Sequence, residues 1–176
     1  RKGSLLRELP ILVVVALVVS LLIKTFLVQF FYIPSGSMEN TLQVKDRVAV
    51  NKVPFLSRNI ARGDVVVFRD PAGWLPEIVD YSTNKYVAKV KTGLVAVGVL
   101  PNPAKQYLVK RVIGVGGDRV VCCDKAGLLT VNGTAITEPY IFAGNKPSEM
   151  KFDVTVPKGK VWVMGDHRGA SADSRY

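Results

Sequence analysis

Apolar and polar residues follow two regimes along this chain. From Leu9 to Ile33 the residues are apolar almost without interruption, Lys24 being the one charged side chain, whereas from Val44 onward short alternating runs are broken by Gly, Pro, Asn and Asp. The first regime predicts a long helix. Twenty-five helical residues rise about 37 Å, more than the roughly 30 Å of a bilayer's hydrocarbon core. Leu9 to Ile23 alone would reach only about 22 Å, so the span is expected to run past Lys24, with that amine drawn toward the headgroups. Phe26, Phe30, Phe31 and Tyr32 then fall at the far interface as an aromatic belt. Arg1, Lys2 and Arg7 precede the run with only Glu8 against them, which predicts a cytoplasmic N-terminus and everything after Ile33 outside. No A-x-A cleavage site follows the run, so an anchor is expected in preference to a cleaved signal peptide.

The second regime predicts strands. Val44–Val53 alternates in large part, and Arg62–Pro71 reads as a turn, a β-branched strand and a proline stop. Tyr107–Val115 and Arg119–Asp124 are strand-like on either side of Gly116-Gly117-Asp118. Leu129–Ile136 carries Asn132-Gly133 between short runs, a strong hairpin cue. Phe152–Val156 and Val161–Met164 flank Pro157-Lys-Gly-Lys160 and read as one more hairpin. At least six strands with few helices predict a mostly β fold: a domain of antiparallel sheets, 34–176, behind a cytoplasmic stub and single transmembrane helix, 1–33. Residues 72–106 look like an insertion, in which Ser82 or Thr83 caps a helix with apolar Tyr86, Val87, Val90, Leu94 and Val97, ended by Pro101. Ser82-Thr-Asn-Lys85 and Lys91-Thr-Gly93 match S-x-x-K and K-T-G, but both fall in that one amphipathic run and read as chance. The start at Arg1 and the stop at Tyr176 inside a patterned segment suggest a piece of a longer protein, truncated at its C-terminus.

Charge and cysteine content narrow the partners. The net charge is +10, from 24 basic and 14 acidic residues that are scattered along the chain. Such a balance suits anionic lipid headgroups. With no zinc spacing and no aromatic RNA motif beside it, nucleic acid is not expected as a partner. Cys122 and Cys123 are adjacent and there is one histidine, so neither a long-range bridge between them nor a metal cluster is expected, and no cofactor is implied. The two cysteines read as one side chain in and one out on a strand.

Candidate chemistry lies between the regimes, in Tyr32-Ile-Pro-Ser-Gly-Ser-Met-Glu-Asn-Thr-Leu42. Pro34 and Gly36 disfavour a continuing helix, so Ser35 and Ser37 sit on an extended or turning piece. The segment is either a polar linker or the carrier of a nucleophilic serine, which needs a base. Four positions beyond Ile33, Ser37 is expected within about 15 Å of the membrane exit. His167, the one histidine, stands beside Asp166 in a glycine-flanked turn, a poor setting for a buried, oriented imidazole. Lys110, with Val109 before it and Val112 just after, is the candidate for desolvation, which lowers a lysine's pKa into a useful range. Read as an isolated strand, it would simply face outward. Gly165–Tyr176, dense in hydrogen-bonding side chains, is either a surface loop or one wall of a polar site.

Four blocks occur in order behind the apolar run: Pro34-Ser-Gly-Ser-Met38 with Thr41-Leu42, Gly63-Asp-Val-Val-Val-Phe68, Lys110-Arg-Val-Ile-Gly114 with Gly117-Asp118, and Gly165-Asp-His-Arg168 with Ser171 and Asp173-Ser-Arg175. Together they resemble bacterial type I signal peptidase, a membrane-anchored Ser-Lys protease. The resemblance covers the anchor and the domain outside 72–106 and parts of 122–150. It implies Ser37 as nucleophile, Lys110 as general base, the Ser37 amide and Ser35 hydroxyl as oxyanion hole, and Ser171 orienting the lysine amine. It further implies Arg111, Asp173 and Arg175 as structural support, and Ile33, Pro34, Met38, Leu42, Leu108 and Val109 as walls of shallow pockets for the small residues of A-x-A. The implied partners are signal-peptide-bearing preproteins, the lipid bilayer and the neighbourhood of the export translocon. The implied location is the bacterial plasma membrane, catalytic domain outward. Asn40 stands where the family often has proline, Gly116 likewise, and His167 replaces the usual asparagine, which puts a titratable ring into that block. Two other classes compete: a self-cleaving Ser-Lys regulator of related fold, and a non-enzymatic, lipid-facing β-domain.

Overall fold

A computed structural model describes residues 5–51, 53, 59–71, 73–74 and 107–176, apart from the side chains of 5–7 and 22–26. The fold is mostly β, and every pairing among the described strands is antiparallel. Helix α1 (Leu5–Phe26) leads into β1 (Val28–Tyr32), which pairs with β2 (Arg47–Asn51) in a two-stranded ribbon. A second sheet has the order β3 (Val65–Arg69), β4 (Tyr107–Val115), β9 (Val161–Met164). The third has the order β7 (Thr134–Ala135), β6 (Leu129–Val131), β5 (Arg119–Cys122), β8 (Phe152–Thr155).

The main core lies between the second and third sheets, where Ile113, Val120, Cys122, Leu129, Val131, Val156 and Met164 are buried together. A bulge in β4 between Val112 and Gly114 makes this possible. It breaks the strict alternation, so that Val112, Ile113 and Gly114 are all buried in succession. Leu108 and Lys110 consequently face one way while Ile113, past the bulge, reaches the other sheet. Gly114 is required there, because a Cβ would come 2.6 Å from Val120 Cγ2.

Several expectations are met closely. The strand expected over Tyr107–Val115 is β4, and Asn132-Gly133 turns β6 into β7 with φ of 53° and 80°, the left-handed pair that a tight hairpin needs. Three others are corrected. The expected helix to Ile33 stops at Phe26: Val28–Tyr32, rich in aromatics, gains a ladder with Arg47–Asn51, which a helix would forgo. Phe30, Phe31 and Tyr32 therefore sit on a strand and form no helical belt. Among the described residues no helix is long and apolar enough to cross a membrane. The part of α1 with described side chains, 8–21, rises about 21 Å.

The hairpin expected over Phe152–Met164 is also revised: both strands form, but β8 pairs with β5 and β9 with β4. The chain changes sheet at 156–160, beside the Gly116-Gly117 turn that makes the same crossing. Gly117 N–H donates to Val156 C=O (2.8 Å), Val156 N–H donates to Asp118 C=O (2.7 Å), and a Cβ on Gly116 would meet the backbone of Pro157, Lys158 and Gly159 at 3.0–3.1 Å. Cys122 and Cys123 are joined to each other by a disulfide across a cis peptide, and Cys123 packs on the core with its neighbour instead of facing out. The expected helix and the two chance motifs within 75–106 lie outside the described residues.

Candidate active site

Ser37 owes its position to the end of the β1–β2 ribbon. Ile33 N–H donates to Asp46 C=O and Lys45 N–H donates to Ile33 C=O, both at 2.9 Å, which extends the ladder to the residue before Pro34. Proline then ends pairing, and Gly36–Met38 form one turn of 3₁₀ helix. Glu39 N–H closes it on Gly36 C=O, while Thr41 and Leu42 N–H groups both donate to Met38 C=O. Met38, 1% exposed, wedges the turn into the protein, and Ser37 is buried beside it. Because the helix stops at Phe26, Ser37 lies eleven positions beyond it, not four; fully extended, that stretch covers up to about 40 Å.

Lys110 comes from the middle of β4, paired opposite Val66, with Leu108 and Val112 two residues away on the same face. All three are buried, and Lys110 is 1% exposed. Its Nζ lies 2.6 Å from Ser37 Oγ. Burial lowers the lysine pKa to about 8, since the ammonium form loses its hydration; Asp173 and Asp166 pull the other way and Arg175 adds to the fall.

The wall opposite is the segment 165–175. Arg175 and Asp173, both buried, form a two-point ion pair at 2.8 and 2.9 Å. Asp173 also accepts from Gly165 N–H (3.0 Å) and from Ser171 Oγ (2.7 Å). Burial pushes this carboxyl up, but Arg175, Gly165 N–H and Ser171 outweigh it and hold it below the usual range. Gly165 is pressed between the Ser37 turn and Ser171: a Cβ there would collide with Ser171 Oγ and with the Ser37 carbonyl oxygen. His167 N–H donates to that same Ser37 carbonyl at 3.1 Å.

Arg111, one residue past Lys110 and on the other face, is fixed by Asp166, at 2.9 Å from Nε to Oδ1 and 2.6 Å from Nη2 to Oδ2. Asp166 also accepts from Thr41 Oγ1 (2.5 Å), and the guanidinium lies 4.0 Å over the Tyr140 ring. Arg168 pairs with Glu138 at 2.6 Å with both side chains buried, and donates to Pro147 C=O at 2.6 Å. These bonds tie the Ser37 turn, β4, the segment 138–147 and the last loop into one block.

The structure thus brings together Ser37, Lys110, Ser171, Asp173 and Arg175. Ser35 caps the 3₁₀ turn in extended geometry, exposed and without a side-chain capping bond. Ser171 donates its hydroxyl to Asp173, and Arg111 pairs with Asp166, not with Asp173. Of the expected pocket residues, Ile33, Met38 and Leu108 are buried and Pro34 is exposed. Leu42 and Val109 line an open, mainly apolar groove of about 500 Å³ along β2 and β3, which has neither Ser37 nor Lys110 in its walls. Sequence reasoning missed Asp166, Thr41, Glu138 and Arg168 as parts of the site's frame. Their partners are 30 to 125 residues away in the chain, so no local spacing marks them.

A hydroxyl and an amine, both buried, thus lie within hydrogen-bond reach on a β scaffold, an arrangement that an activated nucleophile would require. The family model for signal peptidase, peptidase S26, matches residues 6–176. The chain is 40% identical to the probable signal peptidase I of Mycobacterium leprae, over 100% of this chain and 65% of that one. It is 42% identical to the signal peptidase I of Mycobacterium tuberculosis strain H37Rv, over 99% and 64%. Probable signal peptidase I-2 of Synechocystis is 33% identical, over 96% and 64%. The chain belongs to the signal peptidase family, peptidase S26, and spans about 65% of the length of these curated relatives.

Proposed function

We propose that this chain is the catalytic part of a membrane-bound serine endopeptidase that removes A-x-A signal peptides from exported preproteins by a Ser37–Lys110 mechanism. The observation that carries the reading is the 2.6 Å contact between Lys110 Nζ and Ser37 Oγ at a buried position where the lysine's pKa falls to about 8. At pH 7 roughly a tenth of such amines are neutral, against fewer than one in a thousand for an ordinary lysine. The neutral amine takes the Ser37 proton as Oγ attacks the scissile carbonyl. The first N–H groups of a 3₁₀ turn have no acceptor inside it, so Ser37 N–H and the Ser35 hydroxyl are the donors available to the oxyanion. The lysine then returns the proton to the leaving amine, and water, deprotonated by the same lysine, hydrolyses the acyl-enzyme.

The surrounding residues serve that step. Asp173, held by Arg175, fixes Ser171 next to the pair, and Ser171 retains lone pairs to orient the amine. Arg111 with Asp166 holds β4 against the Ser37 turn. Of the six apolar residues expected to wall the substrate pockets, Pro34 is exposed and Leu42 and Val109 line an open groove, so these three are the ones free to touch small substrate side chains, with Ile33, Met38 and Leu108 packed behind them. The membrane assignment is supported by α1, whose large apolar residues between Leu9 and Leu21 are 47–64% exposed, and by the net charge of +10. The proposed location is the bacterial plasma membrane, with the N-terminus cytoplasmic, 34–176 on the outer face near the export translocon, and no cofactor or metal in the reaction.

The test is cleavage of a signal-peptide substrate ending in A-x-A by purified protein and its variants. Ser37→Ala and Lys110→Ala are each expected to lower kcat by at least about 10³-fold with an unchanged circular dichroism spectrum. Near-wild-type turnover by either folded variant overturns the reading.

A further inference from the structure

His167 touches the Ser37 turn at two points. Its backbone N–H holds the Ser37 carbonyl at 3.1 Å, and its ring Nδ1 lies 2.9 Å from Glu39 Oε2. The ring is stacked on Phe142, centroids 4.1 Å apart and planes within 13°, so its direction is fixed. The Glu39 carboxyl in turn lies against Gly36, filling the space a side chain there would take, with Cδ 2.8 Å from the place of a Cβ. The carboxylate therefore rests on the residue between Ser35 and Ser37. Both side chains of the pair are only partly exposed, 20% for His167 and 28% for Glu39.

We propose that His167 and Glu39 together are positioning residues for Ser37, holding its turn at the Ser37 carbonyl and at Gly36, apart from the hydroxyl that Lys110 bonds, and holding it more firmly when the imidazole is protonated. The proposal rests on the reading of Ser37 and Lys110 as the reacting pair. A neutral ring donates to Glu39 from Nδ1 in one of its two tautomers, whereas the imidazolium donates always, and a charge-assisted bond is the stronger. Histidine is the side chain whose charge ordinarily changes between about pH 5 and 8. The charged groups around the ring leave Glu39 as its partner. From the turn comes Glu39 itself and from the segment 138–147 the uncharged Phe142. On its own segment Asp166 is occupied by Arg111 and Thr41, and Arg168 by Glu138. Across the turn, Lys110 bonds Ser37.

The experiment measures kcat and KM of the whole protein, in detergent, for an A-x-A substrate at pH 6.5 and 8.5. Glu39→Gln and His167→Gln keep the size and hydrogen-bonding of the originals without a titrating pair. Each is expected to lower kcat about fivefold at pH 6.5 and less than about twofold at pH 8.5, with KM within twofold. The double variant is expected to lose no more than either single one. Losses that are equal at both pH values, or that multiply in the double variant, overturn the proposal, as do single variants that track the wild type throughout. A wild type that fails to cleave, or cleaves as well with Ser37→Ala, overturns the underlying reading and this one together. Should His167→Gln not fold, the pH dependence of Glu39→Gln alone decides, since that residue lies on the rim of the turn.

Discussion

Lys110 and Arg111 are neighbours on one strand, and the two faces of β4 treat their charges in opposite ways. On the outer face Arg111 meets Asp166 in a two-point ion pair, with Gly63 C=O at 3.0 Å and Tyr140 beneath, and its pKa is raised by that carboxylate. On the inner face Lys110 is more deeply buried, and the acceptor within bonding distance is a serine hydroxyl. Asp173 and Asp166 act on it only at longer range, and burial wins. Carboxylates are at hand on both sides, but those of the inner wall are already claimed: Asp173 by Arg175, Gly165 N–H and Ser171. The inner wall does not exclude acids; it saturates them with other donors. Arginine suits the clamps because its fork satisfies a carboxylate at two points and does not give up its proton, and lysine suits the proposed base because it can.

Exchanging the two treatments gives the largest effect. Lys110→Arg is expected to lower kcat by at least about 10³-fold at every pH up to 9, because a guanidinium does not deprotonate in that range. Measurable turnover that rises with pH in this variant would mean the base lies elsewhere. On the other face, Asp166→Asn leaves Arg111 without its counter-charge, and breaking a buried pair from one side costs about 3 kcal/mol. Denaturant unfolding at pH 7 would read this as a lower midpoint; a midpoint within error of the wild type would mean that Asp166 contributes no stability. The smallest effect is the pH profile itself. The fold lowers the pKa of Lys110 to about 8, so kcat/KM of the Glu39→Gln variant, which lacks the opposing His167 contact, should climb roughly tenfold from pH 7 to a plateau above pH 9, and that of the wild type by less. In stability the sign is the same: between about 8 and the ordinary lysine value the unfolded chain binds a proton that the folded one does not, so this group favours folding more as pH rises. A profile flat from pH 6 to 9 would break the comparison at its root.

The sequence was most informative where the physics is local. The β-like run Tyr107–Val115 marked β4, Asn132-Gly133 marked the β6–β7 turn, and the apolar neighbours of Lys110 singled it out among the lysines. Pairing was less legible. Phe152–Val156 and Val161–Met164 are separated by a turn-like Pro157-Lys-Gly-Lys160, and nothing in that stretch says that the strands belong to different sheets; the crossing is written in the contacts of Gly116 and Gly117 instead. The end of α1 was hidden for a different reason. Val28–Tyr32 is as apolar as the helix before it, and a partner strand nineteen residues on, where Tyr32 meets Arg47 fifteen residues away and Val28 meets Asn51, decides its conformation. At the site, chemistry made Ser37 and Lys110 candidates and the family resemblance paired them, while Asp166, Glu138 and the ring of His167 became meaningful only once distant segments were brought together.

The pairing of β3 with β4 carries a consequence for how this architecture tolerates change. The two strands are adjacent in the sheet although residues 70–106 separate them in the chain, so the two ends of that connection are fixed by the ladder. Closure entropy rises only with the logarithm of length, about 0.6 kcal/mol for each doubling. Descendants of such a chain are free to lengthen, trim or rewrite that connection at small thermodynamic cost, while the strand that bears Lys110 keeps its address.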